Sequence, residues 1–326
     1  MTESPPTPTR VRLVAYLLFT VEIFVISFVG WHVYTWVNGE IMKKQRKVTP
    51  IRKEFLMFPD RGELKYFYEL IPNAIQTEHP EWLPNAATYT FNSDGLNERF
   101  EYPTIRTQGG FRIITLGDSF TFGQYVDTEK NWPEQLEVML NSSCSGQRFE
   151  VINLGIYGYD LQYAAERFSM RGAKYSPDLV LWLLLGERVN EVMRPIVQKL
   201  EASAPATLAQ LPSYPAWRIA LDHLMKTYSH RQLLEQERLI MRNFTDMFDK
   251  HLVFMLFSSA DSQYKARIKV HSSEREYPTS VFDSLTDIVP GNGGLPDGHP
   301  NQEGHARIAK ETFAYLVHKR LIPCGQ

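Results

Sequence analysis

A serine follows an apolar run that is typical of a buried β-strand. Residues 111–116 read FRIITL, and Gly117, Asp118 and Ser119 come directly after them. Functional sites in open α/β sheets lie at the carboxyl ends of the strands, so this position favours a nucleophilic serine. The adjoining helix N-terminus could offer backbone N–H groups to a developing oxyanion. Taken alone, a serine that only caps its helix is the simpler interpretation.

An acid–base pair is predicted near the C-terminus, where Asp297 comes two positions before His299 and Pro300 follows. Proline disfavours helical backbone at the residue before it, so His299 is predicted to be extended. Residues i and i+2 of an extended segment point to the same side, which lets Asp297 fix the tautomer of His299. A metal site is not expected, because His305 follows at a spacing that is unusual for zinc ligands.

Two further positions after predicted strands could donate to an oxyanion. Gly158 follows the VINL run at residues 151–154, just before a predicted helix, and its N–H could serve as a donor. Asn190 follows the apolar run at residues 179–185 and could supply a side-chain amide. The simpler interpretations are a tight turn that needs glycine and an ordinary polar residue at a helix start.

The elements that must position these residues alternate along the chain. Strand candidates at residues 111–116, 151–154, 179–185 and 252–257 are separated by segments whose apolar residues recur at helical spacing. This alternation predicts βαβ units, and therefore a parallel sheet with helices on both faces. Residues 187–250 interrupt the rhythm. We interpret them as a crossover helix that covers the sheet, with a cap over the active site as the alternative.

Three sequence blocks therefore occur in order. G-D-S follows the first strand, N-x-G-x-x-G begins at Asn153 after the second, and D-x-H-P-N begins at Asp297 before the last helix. This order resembles the SGNH (GDSL-type) hydrolase family, specifically its membrane-anchored bacterial members, and NSDGL at residues 92–96 is similar to a leader often seen in that group. The resemblance covers about residues 86–322. It implies a three-layer α/β/α flavodoxin-like fold that works without a cofactor.

The resemblance also implies a role for each position. Ser119 would be the nucleophile, His299 the general base and Asp297 the residue that orients the histidine. The N–H groups of Ser119 and Gly158 and the side-chain amide of Asn190 would form the oxyanion hole. The third block departs from the usual G-x-N-D, since E-R-V separates Asn190 from its glycine, which could displace that donor. The last block is one residue shorter than the usual D-x-x-H, a difference that extended backbone accommodates.

These roles predict two-step acyl transfer, in which Ser119 attacks an ester carbonyl and water later releases the acyl group. The predicted activity is that of a serine esterase or deacetylase acting on acylated envelope glycans or other esters. A polysaccharide O-acetyltransferase is the alternative, because it uses the same residues with a sugar hydroxyl as acceptor. A second alternative, motivated by the altered third block, is a non-catalytic membrane-anchored binding or assembly protein.

An N-terminal membrane anchor is predicted at residues 13–37. This stretch is mostly apolar and long enough to span a hydrocarbon core of ~30 Å, with tryptophan and tyrosine clustered at one end. Glu22 is costly inside a span, so it could mark contact with a partner transmembrane helix. Residues 1–12 are predicted to be a disordered tail, 38–85 a juxtamembrane connector and 86–326 the hydrolase domain.

The charges that flank this predicted span conflict with the family resemblance. Lysines and arginines between residues 43 and 53 outnumber those before the span, which by the positive-inside rule keeps the following domain in the cytoplasm. Anchored members of the resembled family usually act outside the cytoplasm. Because long domains can translocate despite flanking charge, we favour an extracytoplasmic domain.

Composition bounds two other features of the chain. Lys+Arg total 35 and Asp+Glu total 37, so the formal net charge is −2 and the basic surplus of a dedicated nucleic-acid binder is missing. The 2 cysteines, Cys144 and Cys324, are too few for a disulfide scaffold. We interpret them as buried or free thiols, although they could pair in an oxidising compartment.

Overall fold

The computed structural model describes residues 56–57, 69–106, 109–159, 161–185 and 229–324. These ranges belong to one compact unit, Thr49–Gln326. Within them, no helix combines the length and the apolar character that crossing a membrane requires. The predicted tail, the predicted span with Glu22, and Asn190 lie outside the described residues.

Strands and helices alternate along most of the described chain. The strands are β1 (Leu56–Met57), β2 (Glu69–Leu70), β3 (Ile75–Glu78), β4 (Ala87–Thr90), β5 (Gly110–Leu116), β6 (Arg148–Asn153), β7 (Leu179–Leu184), β8 (His251–Phe257), β9 (Thr279–Leu285), β10 (Val289–Pro290) and β11 (Gly293–Gly294). The helices are α1 (Ser119–Phe122), α2 (Trp132–Ser143), α3 (Leu161–Arg167), α4 (His230–Met247), α5 (Ser262–Glu274) and α6 (Gln302–His318).

Five of these strands form a parallel sheet in the spatial order β6-β5-β7-β8-β9. In this flavodoxin-like order the first sheet strand, β5, lies between the second and the third. The carboxyl ends of β5 and β7 flank the point where the winding of the sheet reverses, and ligands bind outside that point. The prediction of an α/β fold with a central parallel sheet is therefore confirmed.

Apolar side chains on both faces of the sheet hold the helices in place. α2 and α6 cover one face through side chains that include Trp132, Leu136 and Ile308. α3, α4 and α5 cover the other face, where Phe244 and Tyr264 are buried. Burying each large apolar side chain in this way stabilises the fold by ~1.5–3 kcal/mol. The result is a sheet between two helical layers.

One strand of the sheet carries no apolar run, so the sequence did not predict it. β7 reads LVLWLL and is buried along its whole length, as a central strand must be. β9 reads TSVFDSL and lies at the edge of the sheet, where only Phe282 and Leu285 are buried. Its polar residues are half-buried or, at Ser284, exposed, and they interrupt the apolar pattern that marks the other four strands.

The predicted crossover segment is described from Ser229 onward. Ser229 and Gln232 form a reciprocal capping box that starts α4, which explains why the helix begins there. Phe244 of α4 packs on Trp182 of β7, with 4.8 Å between the ring centroids. This helix therefore packs on one face of the sheet.

Residues 69–85, which the sequence assigned to the juxtamembrane connector, pack with the sheet domain. β3 pairs in antiparallel fashion with β4. Glu69 forms a buried ion pair with Arg167 at the end of α3, with 2.8 Å between Oε2 and Nη2. Separating the two side chains would leave an uncompensated buried charge, which is costly. The ion pair therefore holds this segment against the domain.

Cys144 and Cys324 form a disulfide, with 4.8 Å between their Cα atoms. α2 and α6 pack beside each other on one face of the sheet, so the ends of these helices meet although 180 positions separate the cysteines. The interpretation of both as buried or free thiols is therefore wrong. Sequence spacing alone cannot show a contact that depends on helix packing.

Candidate active site

Ser119 is the first residue of α1, directly after the turn that follows β5 at the carboxyl end of the sheet. Gly117 shapes this turn with φ of +151°, and a Cβ at that position would overlap the side chain of Thr121. Asp118 caps α1, because its carboxylate accepts the N–H of Phe120 at 2.9 Å. The interpretation of Ser119 as the helix cap is therefore wrong, and its hydroxyl has a different partner.

That partner is His299. Its Nε2 lies 2.9 Å from Ser119 Oγ, and its Nδ1 lies 2.8 Å from Asp297 Oδ2. The backbone N–H of His299 donates to the other carboxylate oxygen of Asp297 at 3.1 Å. Gly298, with φ of +96°, closes the tight turn between them. The structure thus brings Ser119, His299 and Asp297 together in one hydrogen-bonded row.

This row has the polarity that activates a serine hydroxyl. Asp297 accepts the Nδ1–H of a neutral His299, so Nε2 is left to accept the hydroxyl proton of Ser119. Ser119 is 9% exposed, and the side chains of His299 and Asp297 are 22% and 17% exposed. The row is therefore mostly sheltered from bulk water, and the imidazole keeps the largest exposed fraction of the three.

The loop after β6 packs against the turn that carries Ser119. The N–H of Ile156 donates to the carbonyl of Gly117 at 3.4 Å. Asn153, which is fully buried, donates through its side chain to the carbonyl of Thr121 in α1 at 3.0 Å. Gly155 approaches α1 so closely that a Cβ at position 155 would overlap the backbone of α1. These contacts fix the orientation of the serine.

The sequence predicted a role for Gly158 and none for Asn153. Gly158, a predicted oxyanion donor, lies on the loop, is exposed and has φ of +72°. Asn153 received no predicted role, although its side chain holds α1. The available signal was an amide directly after the apolar Val151 and Ile152, at the buried end of β6, where an unpaired polar group would be costly. Asn190, the third predicted donor, lies outside the described residues.

Aromatic rings flank the imidazole of His299. The ring of Phe120 lies 5.4 Å from it, and the ring of Tyr125 meets it at 5.2 Å and 90°, edge to face. Trp82 packs against Tyr125 at 4.8 Å in turn. These rings restrict the rotation of the imidazole and shield it from water.

A carboxylate outside the row, Glu78 of β3, also belongs to this environment. Glu78 Oε2 accepts the O–H of Tyr89 at 2.8 Å, and the side chain of Gln124 donates to the same carboxylate. Burial raises the pKa of Glu78 above its usual value, while hydrogen bonds and the charge of His299 partly offset that rise. Nothing in the sequence pointed to Glu78, because its partners lie on distant parts of the chain.

His305 lies close to the row but has a structural role. It is fully buried in α6, and its Nδ1 accepts the backbone N–H of Trp132 at 3.3 Å. Burial, assisted by the charge of His299, lowers the pKa of His305 to about 3, so this imidazole stays neutral. Among the residues that the structure describes, no cluster of three or more acidic, histidine or cysteine side chains could hold a metal ion.

A groove of about 690 Å³ begins beside the row at Tyr125. Its walls come from the β3–β4 connection, from the segment after α1 and from the start of α6. Its lining residues include Asn85, Tyr125, Asp127, Lys130 and Gln302. Tyr125 lines the groove and its ring also contacts the imidazole of His299, so the groove lies beside the row. Its lining combines polar and apolar side chains.

The fold and the row together define an α/β protein with a Ser-His-Asp site. No family model matches the sequence, and a search of curated proteins finds no similar one. Similar solved structures include the psychrotrophic esterase EstA from Pseudoalteromonas sp., at 15% identity, 64% of this chain, 98% of that chain and a TM-score of 0.42. A Clostridium thermocellum family 3 carbohydrate esterase matches at 14% identity, 66% of this chain, 100% of that chain and a TM-score of 0.39. Similarities this low assign no activity to the chain.

Proposed function

We propose that the protein is a serine esterase of the SGNH type, in which Ser119 is the nucleophile, His299 the general base and Asp297 the residue that orients the imidazole. The observation that carries the proposal is the 2.9 Å separation of Ser119 Oγ and His299 Nε2 at the carboxyl end of the sheet. The hydrogen bond between His299 Nδ1 and Asp297 supports it, because it fixes the tautomer that a general base needs.

In the proposed reaction, Ser119 Oγ forms a bond to the ester carbonyl carbon while its proton passes to His299 Nε2. Hydrogen-bond donors stabilise the tetrahedral oxyanion. We propose that these donors are the N–H groups of Ser119 and Gly158 and the side-chain amide of Asn190. Collapse breaks the bond to the alcohol oxygen, which takes the proton from His299. Water then gives a proton to the same imidazole and attacks the acyl-serine. The bond between the acyl carbon and Ser119 Oγ breaks, the carboxylic acid leaves, and His299 returns the proton to Oγ.

The groove beside Tyr125 is our candidate for the site of the alcohol part of the ester. Its mixed polar and apolar walls suit an alcohol larger than ethanol or a sugar bearing acyl groups. Acylated glycans of the envelope are therefore our proposed substrate class. Asn85 and Lys130 line the groove outside the row. We therefore expect the variants Asn85→Asp and Lys130→Gln to change KM for such substrates more than kcat.

We further propose that the domain acts outside the cytoplasm and is attached to the membrane by an anchor at residues 13–37. The disulfide between Cys144 and Cys324 supports this, because disulfides persist in oxidising compartments and are rare in the cytosol. Alkylation of denatured protein from rapidly quenched cells tests it. Both cysteines should stay unmodified until a reductant is added, whereas immediate alkylation of both would contradict an oxidising location.

The activity itself is tested by the release of nitrophenol from p-nitrophenyl acetate by the full-length protein. Ser119→Ala should lower kcat/KM by at least ~10³-fold, because it removes the nucleophile. Ser142→Ala is the matched control, since Ser142 is exposed and only bonds to its own helix. Adding an acetylated polysaccharide and a free glycan acceptor then separates hydrolysis, which releases acetate, from transfer. A wild-type rate equal to that of Ser119→Ala would favour a non-catalytic binding protein.

A further inference from the structure

Three residues outside the Ser-His-Asp row, Tyr125, Tyr89 and Glu78, form a hydrogen-bonded chain, and the ring of Tyr125 at one end contacts His299. The backbone N–H of Tyr125 donates to the hydroxyl of Tyr89 at 2.8 Å. That hydroxyl in turn donates to Glu78 Oε2, also at 2.8 Å. Tyr89 is fully buried, so both bonds are shielded from water. The donor and acceptor directions agree along the whole chain.

The backbone of Tyr125 is strained, and this chain holds it in place. Tyr125 has φ of +70°, a left-handed conformation that is an outlier for a bulky aromatic residue. Such strain persists only where neighbouring contacts fix it, and it is concentrated at functional sites. The bond from the Tyr125 N–H to Tyr89 is one such contact, and packing of Trp82 on the Tyr125 ring is another.

The strained conformation directs the ring of Tyr125 onto His299. The edge-to-face contact at 5.2 Å and the tilted ring of Phe120 at 5.4 Å confine the imidazole between two aromatic groups. An imidazole that must stay aligned with both Ser119 and Asp297 benefits from this confinement, because small displacements of a catalytic group are costly in rate.

The other end of the chain is Glu78, whose carboxylate interacts electrostatically with His299. The groups that act on Glu78 are Tyr89 from β4, Gln124 after α1, and Asp297 and His299 before α6. A protonated His299 attracts the Glu78 carboxylate, and the charge of Asp297 repels it. A negative charge here therefore favours the imidazolium that forms when Ser119 gives up its proton.

We propose that Glu78, Tyr89 and Tyr125 are positioning residues that hold the imidazole of His299 between Ser119 and Asp297 and stabilise its charged form. The proposal rests on the proposed function in one respect, since it takes His299 as the general base. None of the three needs to touch the substrate carbonyl to act in this way.

Tyr89→Phe tests the chain because it removes one hydroxyl and both of its bonds. In the full-length protein we expect kcat for p-nitrophenyl acetate to fall about tenfold with KM changed less than about twofold. Tyr175→Phe is the matched control. Tyr175 is equally buried and also donates to a carboxylate, that of Asp94, but it precedes β7 at the opposite end of the sheet.

Glu78→Gln separates the charge from the hydrogen bond, since a glutamine oxygen still accepts from Tyr89. We expect the acidic limb of the kcat/KM profile to move to lower pH, because the carboxylate no longer favours the protonated imidazole. A merely structural role for Glu78 would leave the limb in place. This variant also keeps the proposal testable if Tyr89→Phe fails to fold.

A measurement that does not depend on catalytic activity distinguishes failure of this proposal from failure of the proposed function. The far-downfield proton resonance of His299 Nδ1–H, assigned by its loss in His299→Gln, reports the alignment with Asp297. We expect it to broaden or disappear in Tyr89→Phe and to persist in Tyr175→Phe. If the wild type hydrolyses no ester, the proposed function fails while this comparison still stands. An unchanged resonance and an unchanged acidic limb would overturn the positioning role.

Discussion

At the scale of single residues, Asp297 provides a clear test of how the row works. Asp297→Asn keeps the size of the side chain but favours the wrong tautomer of His299. We expect kcat for p-nitrophenyl acetate to fall ~10²–10⁴-fold near neutral pH, by analogy with the loss seen when a triad aspartate becomes asparagine.

The control for this prediction is Asp287→Asn. Asp287 accepts hydrogen bonds from Ser258 and Ser259 on an exposed loop, so its replacement should leave kcat nearly unchanged. Steady-state kinetics of both variants, with circular dichroism to verify folding, make the comparison. Equal rates for Asp297→Asn and the wild type would mean that the carboxylate does not orient His299.

Single residues differ in how far the sequence could predict them. The contact between Asp297 and His299 was predicted from an extended segment, and that reason is wrong, because a tight turn at Gly298 with φ of +96° brings the two side chains together. The approach of Ser119 to His299 joins positions 180 apart, and only the order of blocks along the chain suggested it. Glu78 and Asn153 were missed because their partners come from distant segments that no local pattern connects.

At the scale of elements, the close approach of the β6 loop to α1 should be essential. Gly155→Ala places a methyl group against the backbone of α1. We expect the free energy of unfolding to fall by ~1–3 kcal/mol, as overpacking does, and kcat to fall as well because Ser119 shifts. Chemical denaturation and ester hydrolysis measure the two effects.

Gly146→Ala is the control for this element. Gly146 precedes β6 at the amino end of the sheet, and the space around its Cβ position is open. Its φ of +84° means that alanine is strained there, so stability falls modestly, but kcat should not change. A Gly155→Ala enzyme with wild-type kcat would show that the β6 loop does not position the nucleophile.

The contact between α2 and β6 predicts a pH dependence of stability. Glu137 Oε2 accepts the N–H of Val151 at 2.6 Å and the O–H of Tyr102 at 2.9 Å. Burial, with the nearby charges of Glu134 and Glu150, raises the pKa of Glu137 from 4.5 to about 7. The folded state keeps this proton while the unfolded chain loses it, so the contribution is complete below pH 4.5 and lost as pH rises through about 7.

Glu137→Gln isolates this effect, because its amide oxygen can still accept both bonds but never ionises. We expect the Tm of this variant to rise relative to wild type as pH increases from about 5 to about 8. Thermal unfolding followed by circular dichroism at several pH values measures the difference. A constant difference over that range would contradict a raised pKa at Glu137.

Four sheet strands were predictable because burial on both faces makes them apolar runs. The edge strand β9 and the pairing of β3 with β4 escaped prediction for the opposite reason. Each exposes part of its surface, so polar residues such as Ser284 and Thr77 interrupt the pattern. Their position becomes clear only when the elements that they contact are known.

At the scale of the whole molecule, the disulfide between Cys144 and Cys324 links α2 to the C-terminal segment after α6. The loop that it closes is long, so its loss should lower the free energy of unfolding by ~2–5 kcal/mol. The double variant Cys144→Ser/Cys324→Ser should therefore unfold at a lower temperature. Its kcat at room temperature should change little, because Cys144 lies just before the amino end of β6, whereas Ser119 follows the carboxyl end of β5.

Thermal unfolding of the wild type with and without dithiothreitol checks this prediction, and the double variant serves as the control that the reductant should not affect. If dithiothreitol leaves the Tm of the wild type unchanged while the thiols become reactive, the bond does not stabilise the fold. Equal shifts in wild type and double variant would point to an effect of the reductant elsewhere.

The most direct test of the central claim is labelling of the full-length protein with a fluorophosphonate, followed by mass spectrometry of the modified peptide. This reagent reacts with a serine only when a neighbouring base activates it. We predict modification at Ser119 that is lost in both Ser119→Ala and His299→Ala. A folded protein that stays unlabelled, or that is labelled equally in His299→Ala, would contradict a serine activated by His299.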